Sequence, residues 1–117
     1  MDYDYETASA MHSSGRYIYT VFSSHLALEK SLKAIYAYLK DDMPPRVHNL
    51  LVLLESLDLD LPDEMVGFLR TISDVSITAR YPYKLSDAVV TFNEERSRLI
   101  LDKTSEVLKW LKKRLEK

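Results

Sequence analysis

Apolar residues recur at steps of three and four along most of the chain, and the clearest run lies between residues 17 and 40. Ile18, Val21, Leu28, Leu32, Ile35 and Leu39 keep that step once His25 is counted among them. A period near 3.6 places them in one seam of a long helix. The stretch holds neither Pro nor Gly, and its second half is rich in the helix formers Leu, Ala, Lys and Glu. Small residues flank the seam at Ser23, Ser24, Ala27, Ala34 and Ala37, where a neighbouring helix can approach closely. Glu29 and Lys33 stand on the margin of the same face, one turn apart.

The same period predicts the other elements. Residues 3–13 form a short helix with a modest apolar face around Ala8 and Met11. Gly15 follows it, where a left-handed backbone is cheap. Asp41-Asp42-Met43-Pro44-Pro45 breaks the long helix, because a residue before proline is driven out of the helical region. Val47, Leu50, Leu51, Leu54 and Leu57 mark a third helix over 47–57. Pro62 suits the first position of a fourth helix, and Asp63 and Glu64 suit the positive end of its dipole. Met65, Phe68, Leu69, Ile72, Val75 and Ala79 give that helix its apolar face, ending near residue 80. Residues 81–90 read as a loop. Thr91 and Glu94 match a capping box opening a last helix, which carries Leu99, Ile100, Val107, Trp110, Leu111 and Leu115. Short links make neighbours antiparallel. The expected fold is therefore all-α, an up-and-down antiparallel bundle of four to five helices in a single domain over residues 1–117.

Composition narrows the class. Two glycines and four prolines are too few for the turns of an all-β fold. The absence of Cys rules out disulfides and thiol chemistry and fits a reducing compartment. No apolar run approaches the roughly 20 residues that cross a bilayer, and the acidic start MDYDYETASA is unlike a secretory leader. A cytoplasmic protein with no membrane attachment is the expectation. A net charge of −2 argues against indiscriminate polyanion binding. Acid gathers over 58–64, and base at Lys109, Lys112, Lys113, Arg114 and Lys117. That basic end complements a helix dipole; a nucleic-acid contact is the alternative.

Candidate chemistry is sparse. His12, His25 and His48 show neither H-E-x-x-H nor E-x-x-H spacing, and two glycines cannot build a phosphate loop, so no metal and no cofactor are expected. His25 falls on the seam and reads as a core histidine bonded to a neighbour. His12, near a helix end, says little. His48 follows the proline break, where it or Asn49 caps the next helix or serves function. Glu29 and Lys33 have the favourable i,i+4 order and, taken alone, read as a solvated pair of about 0.3–0.5 kcal/mol. Arg80-Tyr81-Pro82-Tyr83-Lys84 puts two cations and two rings just after a helix. A guanidinium grips phosphate with a planar fork, and a tyrosine ring stacks on a base. The other reading is plain helix termination, with Arg80 near the last carbonyls.

Taken in order, Tyr17, the run from His25 to Ala34 (HLALEKSLKA), His48-Asn49-Leu50 and Arg80-Tyr81-Pro82 resemble the HEPN domain family over nearly the whole chain. The resemblance implies a helical up-and-down bundle, usually a homodimer, in prokaryotic cytoplasm. Many members pair with a minimal nucleotidyltransferase in two-protein modules of toxin–antitoxin type and are thought to bind nucleotides or RNA. The C-terminal helical domain of kanamycin nucleotidyltransferase is a relative. By the same resemblance, Glu29 and Lys33 match the family's polar pair, His48 its helix-start histidine, and Arg80, Tyr81 and Pro82 its Arg-Tyr-Pro motif. Glu29, Lys33, His48, Arg80, Tyr81, Tyr83 and Lys84 are then the candidate nucleotide- or RNA-binding residues, with Arg80 and Lys84 holding phosphate and Tyr81 or Tyr83 stacking a base. Nuclease members carry a His four to six residues after the motif Arg; here no His follows His48 at all. A non-catalytic binding module paired with a nucleotidyltransferase is thus the first expectation. The second is a metal-independent endoribonuclease toxin, in which Arg80 stabilises charge on the phosphorane and His48 moves the proton.

Overall fold

The computed structural model describes residues 2–79 and 93–115. Its axis is α2 (Tyr17–Lys40), whose 24 residues at 1.5 Å each run about 36 Å and account for the 41 Å long dimension of the molecule. Around it lie α1 (Asp2–Ser13), α3 (Leu50–Glu55), α4 (Asp63–Ala79) and α5 (Glu94–Leu115). The fold is all-α, five helices among the described residues, and none of them is long and apolar enough to cross a membrane.

The seam of α2 is the core. Val21, Leu28, Leu32 and Ile35 cluster with Leu50 and Leu53 of α3, Leu69 and Ile72 of α4, and Val107 and Leu111 of α5. A second buried stripe, Thr20, Ser24, Ala27 and Ser31, runs beside it. Its small side chains leave room for α1, which buries Asp4, Ala8 and His12, one per turn. Not all of the expected seam is used. Nothing after Ile35 is buried in α2; Leu39 is half exposed, and Ala34 and Ala37 face solvent. Tyr36 still packs against the core, and only the last turn of the helix stands clear of it.

The α1–α2 turn is closed by Gly15 at φ +80°. Gly15 N–H donates to the His12 carbonyl (3.1 Å) and Arg16 N–H to that of Met11 (2.8 Å), the paired bonds of a Schellman close. Gly67, inside α4, is a different matter: its φ is not positive, and a Cβ there meets nothing within 4 Å. The two glycines should therefore respond oppositely to alanine. Gly15→Ala is expected to destabilise by about 1 kcal/mol, the cost of a left-handed side-chain-bearing residue. Gly67→Ala is expected to stabilise by about 0.5–1 kcal/mol. Urea midpoints moving in opposite directions would show both.

α1 begins one residue earlier than expected, at Asp2, and the starts of α3, α4 and α5 lie later than the sequence expectation. α3 begins at Leu50 rather than at residue 47, because Asn49 caps it: its side chain accepts from Leu51 N–H (2.9 Å) and Val52 N–H (3.4 Å). Val47 and His48 are left in the non-helical segment before it. Pro62 sits one place before the first helical residue, its carbonyl accepting from Met65 and Val66 N–H. Asn93 caps α5, accepting from Arg96 N–H at 2.9 Å, so Glu94 is the first helical residue and not the third. Thr91 and the expected 81–90 loop lie outside the described residues.

Candidate functional site

Glu29 sits on α2 directly after the core residue Leu28 and is only 6% exposed. A carboxylate tolerates that position only with partners. Helical spacing supplies two of them, His25 one turn before and Lys33 one turn after. Lys33 Nζ donates to Glu29 Oε2 at 3.2 Å, and His25 Nδ1 lies 3.8 Å from Oε1. The third comes from outside the helix. The segment after Pro44-Pro45 carries His48 to the same oxygen, with Nδ1 3.0 Å from Oε2. Asn49 spends its side chain on the α3 cap, and His48 is left to face Glu29.

The charge state follows. Burial pushes the Glu29 carboxyl up, but hydrogen bonds from His48 and Lys33, with their charges, outweigh it and hold the group below its ordinary value of 4.5. Glu29 is therefore ionised at neutral pH and only accepts hydrogen bonds. Its contact with His48 then requires the proton on Nδ1, which leaves Nε2 on the outward edge of the ring. The His48 side chain is 72% exposed and that of Lys33 25%. The site is thus a buried carboxylate fronted by an ammonium and an oriented imidazole.

This corrects the reading of Glu29 and Lys33 as a solvated pair, since Glu29 is buried. It also settles the cap at the start of α3, which belongs to Asn49 and not His48. His25 is in the core at 3% exposure, and its neighbour is Glu29. Glu29, Lys33 and His48 are brought together; Arg80, Tyr81, Tyr83 and Lys84 lie outside the described residues. Among the described residues, no group of three or more His, Asp or Glu is placed to hold a metal ion. At the basic end of α5, Arg114 lies 4.3 Å from the centre of the Trp110 ring.

Two further polar pairs have no counterpart in the sequence reading. Lys30 reaches the buried Asp4 at 3.1 Å, and His12 Nδ1 lies 2.8 Å from Ser97 Oγ, both groups buried. His12 also lies against Tyr17, ring centroids 5.6 Å apart. The spacing of Asp4, Ala8 and His12 does mark one face of α1, but no local pattern links it to Ser97, 85 residues on.

The family model described as HEPN domain matches residues 2–115. Among solved structures, the crystal structure of TT1696 from Thermus thermophilus superposes with a TM-score of 0.80, covering 96% of this chain and 90% of that one at 22% identity, a likeness of fold. No curated protein sequence matches the chain.

Proposed function

The chain belongs to the HEPN domain family, and from that premise we propose that it is a cytoplasmic nucleotide- or RNA-binding module that partners a minimal nucleotidyltransferase in a toxin–antitoxin-type pair. The observation that carries the reading is the convergence of Lys33 and His48 on the buried Glu29. A buried carboxylate recruiting an ammonium from its own helix and an imidazole from a separate segment is more than caps and surface pairs require. Arg80 and Lys84 add the phosphate grip, and Tyr81 or Tyr83 the stacking ring. A homodimer is part of the proposal. The outer face of α2 presents Tyr19 (50% exposed) and Leu26 (40%), with Phe22 set edge-on to Tyr19 at 5.8 Å.

The test is calorimetric titration of the whole chain with nucleotides and a short single-stranded RNA, beside co-purification with a minimal nucleotidyltransferase and light scattering for the dimer. Binding that Arg80→Ala weakens about tenfold, the worth of one charge-assisted phosphate contact, is the expected result. No heat with any ligand and no captured partner would sink the reading.

One observation favours a second reading, a metal-independent endoribonuclease. An imidazole whose Nδ1–H is held by a carboxylate and whose Nε2 faces solvent has the form of an oriented general base. Cleavage of labelled RNA in the presence of chelator, lost in both His48→Ala and Arg80→Ala, would establish it.

A further inference from the structure

A phosphate approaching the Glu29 cluster meets no net charge while His48 is neutral. Glu29 is ionised and Lys33 is its ammonium partner, so the two cancel. Among the described residues, the ionisable groups paired around His48 are on α2: Glu29 in contact, Lys33 on the same carboxylate oxygen, and His25 behind them on the other oxygen. Adding a proton to His48 changes the sum to +1. The Nδ1–H stays on Glu29, so the new proton goes to Nε2, on the exposed edge of the ring.

We propose that the Lys33–Glu29–His48 cluster is a proton-gated phosphate site, adding no net charge toward an anion when His48 is neutral and one positive charge, enough to help hold a phosphate group, when it is protonated. Depth along the cluster is what makes this work. Glu29 is 6% exposed, behind a quarter-exposed Lys33 side chain and a largely exposed His48. An incoming phosphate therefore touches the two donors and not the carboxylate. Glu29 orients His48 and consumes the charge of Lys33, and the single proton on Nε2 decides whether charge is left over for a ligand. Histidine is the side chain whose charge ordinarily changes in the physiological pH range, which makes it the group suited to such a gate. The ligand is a phosphate of a nucleotide or of RNA; the inference rests on the nucleotide- or RNA-binding reading above.

The experiment titrates the whole chain, at low ionic strength to limit screening, with a short RNA bearing a 5′-hydroxyl, whose diesters do not titrate in this range. A nucleoside diphosphate forms a parallel arm, and together the two show which source of phosphate is used. Affinity is expected to rise roughly tenfold from pH 8 to pH 5.5, with proton uptake visible as a dependence of the binding heat on the buffer's ionisation enthalpy. Far-ultraviolet circular dichroism at each pH checks the fold. His48→Gln is expected to abolish the proton uptake and hold affinity at its pH 8 value. Glu29→Gln keeps an acceptor for His48 but frees the charge of Lys33, so it is expected to bind more tightly than the natural protein at pH 8 and to depend less on pH. Binding that is flat with pH, or that keeps the same slope in His48→Gln, overturns the gate while leaving the binding reading intact. No binding at any pH overturns both.

Discussion

Replacing Leu28 by alanine is expected to lower the free energy of unfolding by about 2–5 kcal/mol. Leu28 is fully buried in the middle of α2, where the seam meets the other helices of the core. Truncation there removes three buried carbons and leaves a cavity that long, packed helices cannot collapse to fill. A domain of this size has roughly 5–15 kcal/mol in total, so the variant loses a large fraction of its stability. Leu99→Ala is the matched control. Leu99 is 54% exposed, and its truncation should stay within about 0.5 kcal/mol. Urea titrations read the contrast as a large shift of midpoint for one variant and almost none for the other, at unchanged slope.

That pair of leucines shows where a sequence informs and where it stops. Both sit on regular apolar spacing, and periodicity alone treats them alike. Leu28 belongs to a seam with neighbours on several sides, whereas Leu99 lies on a helix whose buried positions include Ser97, Leu101 and Thr104. Periodicity finds a face; which stretch of that face is covered depends on where the other helices end. Leu39 and Ala37 stay uncovered for this reason, as α2 continues beyond its packing partners, whereas Ala34 lies on the outward side of a turn whose Ile35 is still buried.

The site divides the same way. Glu29 and Lys33 are readable as an i,i+4 pair because the pairing is local. The burial of Glu29 is not, because it arises from tertiary packing and from a segment that brings His48 back across 19 residues. A charged residue beside an apolar seam is by default solvated, and only a buried polar cluster overrides that default. His12 with Ser97 is a starker instance: a histidine that reads as a plain helix-end residue is buried against a hydroxyl from the far end of the chain. The helix starts shift through competition between nearby caps. Asn49 holds the amide donors of Leu51 and Val52, so α3 opens at Leu50 and not at Val47, and Asn93 holds that of Arg96, so α5 opens at Glu94.

The Glu29 cluster makes a second large effect, one of sign. In the natural protein the folded carboxyl titrates below its ordinary value of 4.5. As pH falls toward that value, the unfolded chain takes up the proton first. The stabilisation from Glu29 is therefore present above the unfolded value and lost as pH drops through the lower, folded one. Removing both donors with Lys33→Ala and His48→Ala leaves burial as the main influence, with His25, among the described residues, still 3.8 Å away. Burial disfavours the charged form and raises the folded value. The proton is then held longer by the folded state than by the unfolded one, and stability falls as pH rises above about 4.5 instead of increasing. At pH 7 the double variant is expected to be less stable than the natural protein by roughly 3 kcal/mol, the cost of a buried carboxylate stripped of its hydrogen-bonded partners. Urea midpoints measured from pH 3.5 to 7 test the inversion. Adding Glu29→Gln to the double variant should remove the inverted slope, because the group responsible no longer titrates. An unchanged slope in the double variant would mean that water, not Lys33 and His48, keeps Glu29 ionised in its buried position.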